Sequence, residues 1–259
     1  MKDQIAIVTG ASSGIGAAIA ASLAEAGAQV VGTSRSRDGF ARLDVTDPAS
    51  CEALVRDVLA RHGRIDLLVN NAGFAQIGAF DDFSEDENRA AFETNLFGAM
   101  RMARAVLAPM RAAGRGRIVN ICSVTSFVPA PFMGVYAATK HALQGFSLSL
   151  DHELRGSGLR SLAVRPGFMR SAIGANTAFA GETAGTGAAP VRDAVERSLA
   201  RADDPAVVAA LVLRLATTAN PPAISEAGRE AQTLRRLNAL LPSAMFDRSF
   251  RRQFGLPPA

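Results

Sequence analysis

Tyr136 is the only tyrosine in 259 residues, in a chain with 14 Phe and no Trp. Phe carries the aromatic packing, so the single phenol stands out as a residue kept for its hydroxyl. It lies in the stretch VYAATKHALQG, with Lys140 four residues on. On a helix, positions i and i+4 share a face, so the phenol and the ammonium point into the same space. A free phenol ionises near pH ~10 and is a poor base at neutrality. A neighbouring ammonium favours the phenolate, which predicts a lowered pKa for Tyr136. Such a phenol can give a proton to a ketone during reduction or take one from an alcohol during oxidation. Taken singly, a tyrosine is more often core and a lysine four residues on is more often a helix-surface pair. The weight of the pairing comes from what accompanies it.

The accompanying feature is TGASSGIG, residues 9–16, which directly follows the strand-like run IAIV and directly precedes an Ala-rich helical stretch. In that context the glycines have physical tasks. Gly10 permits a tight turn, and Gly14 and Gly16 remove side chains where backbone must approach a pyrophosphate. Ser12, Ser13 and Ile15 complete the loop, and amides at the helix N-terminus face the anion. After the second strand the sequence reads GTSRSR, with Ser34 and Arg35 and no acidic residue. A carboxylate there would accept from a free ribose 2′-hydroxyl, whereas a guanidinium suits a 2′-phosphate. The expected cofactor is therefore NADP(H) rather than NAD(H). Ser123 closes the strand GRIVNICS, at the carboxyl edge where ligands bind in such sheets, and its hydroxyl can hold a substrate oxygen.

These groups need a scaffold that brings strand ends and helix starts together. Short apolar runs alternate with helix-like segments along the chain, which predicts an α/β fold: one doubly wound parallel sheet flanked by helices. Asp47, Pro48 and Gly63 bracket one helix as N-cap, first helical position and stop. Ser84 and Glu87 form a capping box at the start of another, expected to run to Gly114. Between VVGTSR and RLDVT too few residues remain for a crossover helix, so that helix is expected to be absent or reduced to a turn. Residues 174–190, rich in Gly, Ala and Thr, follow the sixth strand and are expected to form a mobile lid.

Several motifs recur in one order. They are TGxxxGxG at residues 9–16, NNAG at residues 70–73, Thr94 with Asn95, Ser123 thirteen residues before Tyr136, YAATK, and PGFMRS after the sixth strand. With them the chain resembles the classical short-chain dehydrogenase/reductase family over nearly its whole length. Its ending is most similar to the branch containing 17β-hydroxysteroid and retinol dehydrogenases. The resemblance implies a single Rossmann-type domain over residues 1–259, with a substrate loop at 174–225 and a C-terminal helical tail at 226–259. It implies a catalytic group of Ser123, Tyr136, Lys140 and Asn95. Lys140 would also bond the nicotinamide ribose, and Asn95 would help hold a water relaying protons to Lys140. Asp44, with Val45, would accept from the adenine amine, and Asn71, Ala72 and Gly73 would lie beneath the adenosine ribose. Pro166, Gly167, Met169 and Ser171 would border the nicotinamide, with the Ser171 hydroxyl placed for its carboxamide.

The departures are Cys122 in place of a serine, read as packing, and Arg170, which could meet cofactor phosphate, the lid or an acidic substrate. The final strand with Asp-Gly-Gly is replaced by PPAISEAGREAQ. That leaves a homodimer as open as the tetramer built around such a strand.

Composition narrows the field further. Hydrophobic residues make up 48% and charged residues 20%, as in an ordinary globular protein. No apolar run reaches the roughly 18 residues that span a bilayer, and the N-terminus has no signal-peptide pattern, so a cytoplasmic protein without membrane contact is expected. Two cysteines and three histidines in no ligand spacing argue against a metal site. The net charge of +4 comes from scattered arginines, densest in DRSFRRQF, which reads as a solvated helix face rather than a nucleic-acid surface. The expected activity is NADP(H)-dependent interconversion of a small apolar ketone and its secondary alcohol. Phe127, Val128, Pro129, Pro131, Phe132, Phe168, Met169 and Phe179 are candidates for the pocket wall. The alternatives are reduction of a 3-oxoacyl carrier-protein thioester and a dinucleotide-binding sensor without turnover.

Overall fold

The computed structural model describes residues 1–170, 177–179 and 188–256. Seven parallel strands form one sheet in the order β3-β2-β1-β4-β6-β7-β9. They are β1 (Ile5–Val8), β2 (Gln29–Ser34), β3 (Ala41–Arg42), β4 (Leu67–Asn70), β6 (Gly116–Ile121), β7 (Leu159–Pro166) and β9 (Ile224–Ala227). The order reverses direction at β1, so β1 and β4 flank a crevice at the carboxyl edge. β1, β4 and most of β6 and β7 are buried on both faces, which is why they read as continuous apolar runs.

Helices cover the two faces. α1 (Gly14–Glu25) and α7 (Ala206–Thr217) pack together on one side, around Ile19, Leu23, Val208 and Val212. α2 (Pro48–His62), α4 (Gly98–Ala112) and α5 (Gly134–Leu154) cover the other, around Leu54, Val58, Met102, Val106 and Leu150. The start and stop signals act as their chemistry requires. Asp47 accepts from Ala49 N at 2.9 Å ahead of Pro48, and Gly63 closes α2 at φ 73°. Ser84 and Glu87 cap α3 (Glu85–Phe92) reciprocally.

Between β2 and β3 no helix intervenes, in line with the short spacing. Three features differ from the sequence reading. The long helix expected from Ser84 to Gly114 is broken by a π-helical turn, Glu93–Phe97, between α3 and α4. The sequence PPAISEAG does supply a final strand, β9, paired with β7 from Ala163↔Ile224 to Pro166↔Ala227. α7 and part of β9 therefore fall inside the span expected as a substrate loop, yet belong to the core, because their apolar residues fill the α1 face of the sheet. The expected lid falls largely outside the described residues. Within it, β8 (Thr177–Phe179) pairs in parallel with β5 (Ala75–Ile77), and α6 (Ala188–Ala200) begins. The chain ends in α8 (Arg229–Leu240) and α9 (Ser243–Gln253).

α5 is anchored by a buried carboxylate. Asp151 is 0% exposed and accepts from Arg155 Nε at 2.9 Å, Arg160 Nε at 2.7 Å and the Ser161 amide at 3.1 Å. Burial pushes this carboxyl up, but the bonds from Arg160, Arg155 and Ser161 outweigh it and hold it below the ordinary aspartate value. Because the folded pKa is depressed, the stabilisation is present above about pH 4 and is lost as pH falls through the folded pKa. Asp151→Asn is expected to cost about 2–4 kcal/mol at neutral pH. In thermal melts, the gap between wild type and variant should narrow below about pH 4.

Candidate active site

The phosphate loop joins β1 to α1. Thr9, buried at its start, accepts from the amides of Asn71 and Ala72, both at 2.9 Å, which ties the loop to the end of β4. Asn71 Nδ2 donates to Thr9 O at 2.9 Å and Gly10 O at 3.1 Å. Gly10 adopts φ 64° and Gly14 φ 56°, conformations that favour glycine. Gly16 has a different task from the one its spacing suggests. A Cβ there would meet Gly10 O at 2.2 Å, so this glycine lets the helix pack onto the loop and is itself buried. Ser13 makes no side-chain cap to α1, and the first turn of α1 holds no acidic residue. Such a helix start suits an anion.

The candidate reacting groups, Ser123, Tyr136 and Lys140, come from the end of β6 and from α5. Ser123 follows the end of β6 in extended backbone, 8% exposed, and its Oγ accepts from Thr125 N at 3.1 Å. Ser126 Oγ accepts from Ser123 N at 3.2 Å and donates to Lys140 O at 3.0 Å, coupling the strand end to the helix. Lys140 is 6% exposed. Its Nζ donates to Ile121 O at 2.9 Å and lies 5.8 Å from the Tyr136 ring centroid. Among the described residues no carboxylate pairs with it, and burial lowers its pKa.

Tyr136 departs from expectation. Burial pushes its phenol up to about 12, opposed by Ser123 and reinforced by Cys122. Desolvation of the phenolate wins because the ammonium is directed at a backbone carbonyl rather than at the phenol oxygen. Cys122 is itself packed, and burial raises its thiol to about 12, so it stays neutral.

Asn95 sits inside the π-helical turn. Its Nδ2 donates to Phe74 O at 2.9 Å and to Thr139 Oγ1 at 3.2 Å, while its Oδ1 accepts from Phe74 N at 3.0 Å. Its side chain thus clamps the loop after NNAG to α5, and π-turns are frequent where a helix must turn a functional residue inward. A Cβ on Gly73 would meet Asn95 Oδ1 at 2.7 Å, which accounts for that glycine.

Two clefts meet at these residues. The first is lined about equally by polar and apolar surface and is bordered by Gly10, Ser12, Ser13, Gly14, Ile15, Asn71, Ala72, Gly73, Ser123, Tyr136, Lys140, Pro166 and Gly167. The second is mostly apolar, lined by residues including Ile77, Val128, Met133, Phe168, Val195, Leu199, Leu234, Phe250 and Phe254. Ala75, Ser123, Tyr136 and Gly167 border both. Phe246 stacks on Phe250 in α9 with centroids 5.6 Å apart, and Phe250 meets Phe254, just past the helix end, edge to face at 5.0 Å. Arg35 and Asp44 border a separate open groove beside β3. Asp44 Oδ1 accepts from Thr46 N at 2.9 Å and Thr46 Oγ1 at 2.7 Å, bonds that hold its carboxyl below the usual range. Arg37 Nη1 reaches back to Ser12 O at 3.3 Å, so two arginines frame the path from this groove to the phosphate loop.

Some expected residues lie elsewhere. Met169 is 0% exposed and packs in the core against the α1 face, since its segment bridges to Asp203. Val45 is buried in the opposite core, under Gly98. Ser171 lies outside the described residues, as does the side chain of Phe179. Arg170 pairs with Asp204 at 3.2 Å on the surface. Of the proposed wall, Val128 and Phe168 line the apolar cleft, whereas Phe127 stacks under Arg165 at 4.3 Å. Glu230, Thr125, Phe250 and Phe254 are cleft residues that sequence reasoning missed. The spacing of Phe246, Phe250 and Phe254 was a visible signal of a helix face.

Comparison with known proteins finds relatives in both sequence and structure. A 3-ketodihydrosphingosine reductase of Bacteroides thetaiotaomicron is 39% identical over 173 residues, covering 64% of this chain and 64% of that protein. The 3-oxoacyl-[acyl-carrier-protein] reductase FabG of Escherichia coli is 39% identical over 183 residues, 66% of this chain and 75% of its own length. Among solved structures, a short-chain dehydrogenase from Streptomyces avermitilis superposes with a TM-score of 0.85 at 34% identity, covering 97% of both chains. A metagenomic short-chain oxidoreductase in complex with NADP gives 0.71 at 30% identity, covering 88% of this chain and 99% of the other. The family profile for short chain dehydrogenase matches residues 4–180, more than half of the chain, and the protein belongs to that family.

Proposed function

We propose that this oxidoreductase uses NADP(H) to reduce the carbonyl of a small, largely apolar substrate, or to oxidise the corresponding secondary alcohol. The observation that carries the reading is the shared border of the two clefts. Ser123 and Tyr136 border both the cleft leading to the phosphate loop and the apolar cleft under α9. A carbonyl held there touches the residues that can move its proton while its apolar body stays out of water. The bound nucleotide would supply hydride. Ser123 is placed to hold the carbonyl oxygen and stabilise charge developing on it. Tyr136 is placed to donate the phenolic proton to that oxygen. Lys140, fixed by Ile121 O, borders the same cleft with its ammonium 5.8 Å from the phenol ring centroid.

The raised phenol favours one direction. At neutral pH it is protonated, the form a general acid needs for reduction, whereas oxidation needs the scarce phenolate. The two relatives from Bacteroides thetaiotaomicron and Escherichia coli are named as reductases of a keto and an oxo compound, which supports the same direction. Carrier-bound substrates are the second reading, favoured by the exposed arginines Arg235, Arg236 and Arg252 on the helices that wall the cleft. Turnover of a 3-oxoacyl thioester on carrier protein, set against the free ketone, separates the two. We infer that it acts as a homodimer or homotetramer.

Arg35 and Arg37 support the choice of nucleotide, since the end of β2 offers guanidinium groups and no carboxylate. Arg35→Asp is expected to weaken NADPH binding about 10–100-fold while changing NADH binding far less, as read by fluorescence titration. Equal losses for both nucleotides would remove Arg35 from 2′-phosphate recognition.

For the chemistry, Tyr136→Phe should lower kcat about 10²–10⁴-fold with nucleotide binding retained. With a phenol near 12, wild-type alcohol oxidation should climb about tenfold per pH unit through the neutral range. Ketone reduction should stay level over the same range. An oxidation profile that levels off near neutrality would show that nucleotide or substrate binding restores a lowered phenol.

A further inference from the structure

Three polar side chains of the apolar cleft, Thr125, Glu230 and Gln253, play no part in the proposed reaction, and the first two stand out. Thr125 follows Ser123 by two residues and is 4% exposed. Its amide donates to Ser123 Oγ at 3.1 Å. Covalent geometry then keeps its hydroxyl within about 7 Å of that oxygen. The hydroxyl is buried and has no hydrogen-bond partner among the described residues. Buried polar groups are satisfied in the great majority of folded proteins, so an orphan in the wall of a ligand cleft marks a bond completed by the ligand.

Glu230 enters the same cleft from the first turn of α8. Its Oε2 accepts from Phe168 N at 2.8 Å and would lie 2.8 Å from a Cβ on Gly167. The carboxyl is thus wedged against the turn that borders Tyr136 in both clefts. Among the described residues no cation pairs with it, because neighbouring Arg229 turns to Asp203 at 3.2 Å. Burial pushes the carboxyl up, the Phe168 amide opposes this, and Asp203 adds to it. Val195, Leu199, Leu234 and Phe250 supply apolar lining of the same cleft.

We propose that Thr125 and Glu230 form a second polar pole of the substrate cleft, which selects ketones bearing an amino or hydroxyl group close to the carbonyl over plain alkyl ketones. The inference rests on the reductase reading above. A carboxylate only accepts hydrogen bonds, so its ligand group must donate, and an ammonium would also supply the cation that Glu230 lacks. The Thr125 hydroxyl can accept from or donate to the same substituent. The alkyl remainder fits the apolar wall.

The test is calorimetric titration of the NADP-loaded protein with two medium-chain secondary alcohols. They are identical except for an amino group on the carbon next to the carbinol. The amino alcohol is expected to bind at least about tenfold tighter. Thr125→Val removes the hydroxyl and keeps the shape, and Glu230→Gln keeps an acceptor for Phe168 N. Each should reduce the preference about tenfold. Thermal melts identify a variant that has not folded, and the other then decides. Equal affinities in wild type, no binding of the amino alcohol, or a preference unchanged in the folded variants would overturn the proposal. The reductase reading fails separately, by the absence of NADPH oxidation with the matching ketones.

Discussion

The seating of α5 on the sheet is the constraint on which the site depends, and hydrogen bonds fix it as much as packing. Asn70 Nδ2 donates to Asn120 Oδ1 at 2.9 Å across β4 and β6, and Asn120 Nδ2 donates to Ser147 Oγ at 3.0 Å on α5. Ser147 and Ser161 are joined at 3.2 Å, and Asp151 binds the Ser161 amide one turn further along. All of these side chains are buried. Apolar contacts alone would tolerate a helix that slides or rotates by a fraction of a turn. A buried polar chain does not, because any displacement leaves a donor or acceptor unpaired in a medium without water. Tyr136 and Lys140 inherit their positions from that restriction.

The opposite border of the cleft is held by a comparable device. The π-helical turn carries Asn95 inward, where its amide occupies both backbone groups of Phe74 and the Thr139 hydroxyl. One side chain thereby spans three elements that converge on the reacting residues. Asn95 is in this respect a positioning residue. The turn sacrifices regular helix geometry to reach a point that an α-helical register would miss.

Much of this was legible in the sequence, and the limits have physical causes. The phosphate loop could be read because strand, glycines and helix occur within a few residues, and local chemistry decides local shape. The missing crossover between β2 and β3 followed from chain length alone. The pairing of Tyr136 with Lys140 on one helix followed from periodicity, but the direction of the phenol's shift did not. That direction depends on where Lys140 Nζ points and on how deeply the ring is buried, and both are tertiary facts. Gly16 was correctly singled out and given the wrong task, because its close neighbour is Gly10 O, set by the curl of the loop. The interruption at Glu93–Phe97 left no trace in propensity, since each of its residues tolerates a helix. β9 was obscured by the polar Ser225 and Glu226 within a four-residue strand. Glu230, Phe250 and Phe254 lie far along the chain from Ser123, and only the fold brings them to it.

The family match covers residues 4–180, which hold the phosphate loop, Ser123, Tyr136 and Lys140. Val195, Leu199, Glu230, Leu234, Phe250 and Phe254 of the apolar cleft all come after that stretch. The apolar cleft is thus assembled from two lengths of chain, with Ile77, Val128, Met133 and Phe168 inside the matched stretch and the trailing helices beyond it. Mutations in the trailing helices can reshape this cleft without disturbing the buried network under α5. Diversification of substrate and preservation of chemistry can therefore proceed side by side in one domain.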